Sequence, residues 1–96
     1  MSKITKSAKG EDCTVRLPAI CNGNPETTVF AHINGGGMGR KYSDLHGAYA
    51  CSDCHAWLDG GYANDPNANR DKRDYEHLYA MFRTQIKLLE KGLVKI

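Results

Sequence analysis

Cys51-Ser52-Asp53-Cys54-His55 is the stretch on which the fold of this chain turns. Two cysteines separated by two residues can grip one ion from a single turn of backbone. Cys13 and Cys21 form a second, wider pair upstream, with seven residues between them. Structural zinc takes four ligands, and four thiolates satisfy it without any other group. If a helix opens near Cys51, the unpaired N–H groups of its first turn favour the thiolate form. The chain needs such a staple. At 96 residues it makes one domain, and a domain of that size buries only about 60–65% of its unfolded surface. With two Phe, one Trp and five Tyr it cannot build a large aromatic core. A structural zinc held by Cys13, Cys21, Cys51 and Cys54 is therefore expected.

Other chemistries also accept four cysteines. A thioredoxin-like pair belongs in a βαβ unit, which this sequence does not offer. An iron–sulfur cluster stays open on the sequence alone. Cys51 to His55 also matches the haem-attachment signature, with Met38 or Met81 as an axial ligand. That reading leaves Cys13 and Cys21 without a role and normally requires export. The first ten residues carry charge with no apolar stretch behind them, unlike a secretory signal, so the expected location is cytoplasmic, where thiols stay reduced. No run approaches the roughly 18 apolar residues of a membrane span. The net charge of +2 decides nothing about partners. Nucleic-acid binding would have to rest on local patches.

Outside the cysteines, residues 1–12 read as a flexible basic arm carrying Lys3, Lys6 and Lys9. Cys13 to Leu17 alternates and predicts a short strand ending at Pro18. Thr27 to Ile33 is rich in β-branched and aromatic residues and predicts the best strand. Gly35 to Gly39 forms a loop followed by Arg40 and Lys41, which serves as a phosphate-contacting segment or as a plain linker. Ala48 to Leu58 predicts a short helix stopped by Gly60 and Gly61, and residues 62–70 predict a loop. Tyr75, Leu78, Tyr79, Phe82, Ile86 and Leu89 mark one stripe of an amphipathic helix over about 71–91. That helix starts near Asn69 or Asp71 and ends at Gly92. Leu93 to Ile96 would add an edge strand. Arg70, Lys72 and Arg73 extend a basic face, interrupted by Asp71 and Asp74.

Of the four histidines, His77 lies between Glu76 and Leu78 and reads as a partly exposed surface residue, and His46, before Gly47-Ala48 near the expected helix start, is a candidate for a surface or a functional role. His32 closes the best strand, and a lone histidine there is more often structural than catalytic. His55 follows Cys54 directly, so it points to a different side of the helix and is left free for another task.

A strand ending Ala31-His32-Ile33, a loop of about twenty residues and then Cys51-x2-Cys54-His55 on a helix together resemble the zinc-containing HNH endonucleases. More closely, Cys13, Cys21-Asn-Gly-Asn, Ala-His32-Ile, Gly-Met-Gly-Arg-Lys-Tyr-Ser-Asp and Ala-Tyr-Ala-Cys51 through Leu-Asp59-Gly are similar to the small prophage-encoded YbcO-like nucleases. The likeness runs from about Cys13 to the final helix. It implies a small α+β zinc-stabilised domain with a ββα-metal or treble-clef core, acting as a metal-dependent endonuclease on DNA. It puts His32 at the general-base position, His55 and Asp59 as ligands of a catalytic divalent cation such as Mg²⁺ or Mn²⁺, and Asp44 or Asn34 at the middle, orienting position. One departure stands out: HNH enzymes usually carry Asp or His just before the base, and here the residue is Ala31. The alternative reading is a non-catalytic zinc module that contacts DNA or a protein partner. Neither reading calls for a membrane or a small-molecule cofactor.

Overall fold

Two short strands meet where the β-branched run predicts the first of them. β1 (Val29–His32) pairs antiparallel with β2 (Gly47–Ala50), with Phe30 opposite Tyr49 and His32 opposite Gly47. The computed structural model describes residues 3–33 and 45–94. The predicted loop residues Gly35 to Gly39, together with Asn34, Arg40, Lys41 and Asp44, lie outside them. Gly47 is needed at its place: a Cβ there would run into the Phe30 ring and come within 2.9 Å of the Ala31 carbonyl oxygen.

The period of two along the strands divides the core. Ala31, Ala48 and Ala50 face Cys13, Cys51, Cys54, Trp57 and Leu58. Phe30 and Tyr49 face the other way, onto Ala8 and Leu88. β2 runs straight into α2 (Ser52–Asp59). The helix expected from Ala48 thus begins four residues later, because Gly47 to Ala50 are used as a fully buried strand. Cys51 is its N-cap, with Sγ accepting from the Cys54 N–H at 3.4 Å.

α3 (Arg70–Glu90) has the ends its sequence predicts. Asn69 caps it by accepting from the Lys72 N–H at 2.8 Å. Gly92 takes a left-handed φ of 73°, and the Leu93 N–H returns to the Leu88 carbonyl at 3.0 Å, closing the helix as a Schellman turn. The face it packs is not the predicted one. His77, Ala80, Met81, Thr84 and Leu88 are buried, whereas the large stripe from Tyr75 to Leu89 is exposed by 38–58% per residue. Small residues decide this, because Ala80 and Thr84 let the helix backbone approach the edge of β2.

That approach is held by a closed ring of hydrogen bonds. The Tyr49 N–H donates to Thr84 Oγ1 (3.1 Å), and the Thr14 hydroxyl donates to the Tyr49 carbonyl (2.9 Å). A carbonyl only accepts, so the Thr14 proton is committed, and Thr84 must donate across the 2.8 Å contact to Thr14 Oγ1. The ring occupies the free edge of β2, and both threonines have no exposed surface. It also corrects the strand predicted over Cys13 to Leu17. Thr14 bonds β2 through its N–H (2.8 Å), but its carbonyl takes Arg83 Nε (2.8 Å), and Arg16 at φ 54° and Ala19 at φ 65° turn the chain away. Where a flexible arm is expected, α1 (Lys3–Lys6) leads to Ala8, which is 1% exposed, and Ser7 Oγ lies 2.7 Å from the Tyr49 hydroxyl. Leu93 and Val94, expected on an edge strand, pack instead as partly buried residues against Ala8, Phe30, Tyr49 and Leu88.

Thr84→Val keeps the side-chain shape but leaves the Tyr49 N–H without its acceptor. It is expected to cost about 1–3 kcal/mol, read as a lower urea midpoint at unchanged slope. Thr84→Ser, which preserves the ring, should lose much less.

Candidate metal centre and adjoining cleft

Each sulfur reaches the centre through a local device. Cys51 is delivered by the end of β2 and Cys54 by the first turn of α2. Cys13 accepts the Arg16 N–H at 3.4 Å, the same three-residue spacing by which Cys51 accepts from Cys54. Cys21 follows a turn in which its own N–H bonds the Leu17 carbonyl at 2.9 Å. The four Sγ atoms all lie within 4.8 Å of one another, although the chain from Cys13 to Cys54 crosses the whole sheet. All four cysteines are free of disulfides.

This donor set fits a tetrahedral ion. A Zn–S bond of about 2.3 Å gives a tetrahedron edge of about 3.8 Å, and Cys21 Sγ to Cys51 Sγ is 3.8 Å. The cluster could therefore hold a metal ion such as Zn²⁺. The thiol chemistry is polarised in the same sense. The Cys54 thiol and the Arg16 N–H pull the Cys13 thiol down to about 4. Cys54, as donor to Cys13 and buried, is pushed far up, and burial raises Cys21. One thiolate thus forms readily, and a cation must displace the remaining protons, so binding weakens as the pH falls. Cys54→Ser is expected to lose the ion and, with it, the cooperative thermal transition followed by circular dichroism.

A cleft of about 340 Å³ shares Ala31 and Leu58 with the core packed around this centre. It lies where the end of β1, the end of α2 and the first turns of α3 converge, and His32, Asp59, Arg73, Asp74 and His77 line its polar part, with Ile33, Leu58 and Leu78 beside them. Its frame is tightly bonded. Arg73 donates through Nη1 to the Leu58 carbonyl (3.1 Å) and through Nε to Asp74 (2.6 Å), with its guanidinium 4.8 Å from the centre of the Tyr62 ring. His77 Nε2 lies 2.8 Å from the Ala31 carbonyl oxygen, which requires the proton on Nε2. His55 is not part of the cleft wall but adjoins it through Asp59, with Nε2 3.6 Å from Oδ2. Among the described residues, only the four cysteines form a group of three or more such donors close enough to share an ion.

The family model described as "Putative nuclease YbcO" matches residues 2–93. The chain belongs to the YbcO family. A relative named "Putative nuclease YbcO" from Escherichia coli (strain K12) is 39% identical over 105 residues, covering 99% of each chain. "Putative nuclease ybcO" from Enterobacteria phage 82 matches to the same extent. A solved structure, "Structure of a putative bacteriophage protein from Escherichia coli str. K-12 substr. MG1655", superposes with a TM-score of 0.74 at 39% identity, covering 93% of this chain and 99% of that one.

In this YbcO family member His32 and Asp59, both expected at the site, line one cleft, joined by Arg73 and Asp74, expected only as parts of an interrupted basic face, and by His77, for which no site role was expected. His77 is 8% exposed, against the expectation of a surface residue. Its signal was the second, smaller stripe of α3, in which His77, Ala80, Thr84 and Leu88 recur at helical spacing. The Ala31 side chain packs in the core on the sulfur side and its carbonyl accepts His77, so no ligand arises from the position before His32. Burial lowers the His77 pKa below its ordinary value. A base with a depressed folded pKa contributes stability above the unfolded value near 6.5 and loses it as the pH falls through the folded one. Stability is therefore expected to decline on acidification below about pH 6.5. His77→Gln should flatten that part of the decline in urea midpoints measured across pH.

Proposed function

We propose that this chain is a metal-dependent endonuclease that hydrolyses DNA phosphodiester bonds through an HNH-type ββα-metal site, with a treble-clef zinc as its staple. The observation that carries this is the convergence of His32, from the end of β1, with Asp59 and its neighbour His55, from α2, around one cleft beside the sulfur cluster. The order β1, β2, α2 is the order that such a site needs. The names carried by the relatives point the same way.

In this reading His32 takes the proton of the attacking water as the general base. Arg73, held by the Leu58 carbonyl through Nη1 and offset in charge by Asp74 through Nε, would meet a phosphate with its Nη2 group. His55 and Asp59 would hold a divalent cation such as Mg²⁺ or Mn²⁺. An octahedral Mg²⁺ sets neighbouring donors about 3.0 Å apart, so Nε2 and Oδ2, now 3.6 Å apart, would draw together around it. Such an ion, when bound, supplies charge stabilisation to the scissile phosphate and the leaving 3′ oxygen. Asp44 as the orienting residue and Arg40 and Lys41 as backbone contacts belong to the same proposal and lie outside the described residues.

A second reading, a non-catalytic zinc module contacting DNA or a protein, draws on Ala31, which removes one usual ligand. Nicking of supercoiled plasmid with added Mg²⁺ or Mn²⁺ separates the two. His32→Ala is expected to lower cleavage by about 10²- to 10⁴-fold with metal content and circular dichroism unchanged. Equal cleavage by the variant, or none by the native chain with either ion, would leave the module reading.

A further inference from the structure

The exposed face of α3 has the pattern of a seam. Tyr75, Tyr79, Phe82, Ile86 and Leu89 recur at steps of four, three, four and three, the heptad spacing of helices that pair, with Leu78 alongside. These residues are not scattered. The Tyr75 and Tyr79 ring centres lie 4.6 Å apart and those of Tyr79 and Phe82 5.6 Å apart, forming a continuous aromatic ladder. At 38–58% exposure each, the six side chains leave roughly 600 Å² accessible, at the upper end of what a monomer's largest patch shows. A symmetric pair would bury at most about 1,200 Å² from these side chains, the low end of standard-size interfaces, so the flanking charges must contribute.

We propose that this face binds the same face of a second copy, with the two α3 helices antiparallel about a two-fold axis between Tyr79 and Phe82. The flanking charges select this register. It stacks Tyr79 on the partner's Phe82 and Tyr75 on the partner's Ile86, and sets Glu76 across from the partner's Arg83 twice in each dimer. A parallel pairing would set Asp71 against the partner's Glu76. An antiparallel pairing shifted by one heptad would set Arg83 against the partner's Arg83. Arg83 is anchored through Nε to the Thr14 carbonyl, and its Nη groups make no other hydrogen bond among the described residues. Glu76 is positioned by Lys72, whose Nζ lies 3.3 Å from Oε2. The pairing does not depend on the nuclease reading.

Light scattering coupled to size exclusion, on the full chain with its metal, tests it. The native chain is expected at twice the 10.6 kDa chain mass, and Ile86→Glu at the monomer mass with unchanged circular dichroism, since Ile86 is 58% exposed. Glu76→Arg, which opposes two arginines, should weaken the dimer about tenfold in sedimentation equilibrium. A native monomer at sub-millimolar concentration, or a dimer that survives both Ile86→Glu and Tyr79→Glu, would overturn the proposal. An unchanged dissociation constant for Glu76→Arg would overturn the antiparallel register.

Discussion

Four sulfur atoms held within 4.8 Å of each other are the constraint on which this structure depends. The core around them is built from Ala31, Ala48, Ala50 and Ala80 as much as from Val15, Leu17, Trp57 and Leu58. Alanines pack closely but bury little apolar area, so that half of the domain lacks the usual hydrophobic driving force. Four converging thiols add little of their own, and as thiolates they repel one another. A bound cation would reverse the sign of that interaction and link residues 13, 21, 51 and 54 in one step. Binding energies of such centres rival the whole stability of a small domain.

The centre also organises the cleft. Cys51 and Cys54 fix the start of α2, and the same helix carries His55 and Asp59 one turn onward. Ala31 packs on the sulfur side while its carbonyl holds His77 and its neighbour His32 lines the cleft. On the far side, the ring through Thr14, Tyr49 and Thr84 ties the Cys13 segment, β2 and α3 together. Hydrogen bonds in a closed ring within a dry interior strengthen one another. The segment that supplies the first sulfur and the helix that supplies Arg73, Asp74 and His77 are thus held to one strand edge.

Features set by local chemistry were legible in the sequence. The strand at Val29 to His32, the Asn69 cap and the Gly92 stop each depend on a few neighbouring residues, and the four distant cysteines were grouped by their shared ligand chemistry. Features set by distant partners were not. Thr14 and Thr84 meet across 70 residues, so nothing near Cys13 shows that its segment caps a sheet edge instead of forming a strand. Ala48 to Ala50 suit a helix by propensity, and only their pairing with Val29 to Ala31 makes them a strand. α3 carries two apolar stripes, and hydrophobicity alone favoured the larger one. Close approach to β2 selected the smaller, which buried His77 and left an aromatic face outside.

The central claim is that one ion on four thiolates holds this fold together. Elemental analysis of the purified chain, paired with counting of alkylatable thiols before and after chelation, tests it most directly. The account predicts one zinc per chain, no visible absorption, and four cysteines that are shielded until the ion is removed. A folded chain without metal and with its thiols freely reactive, or an iron or haem spectrum, would contradict it.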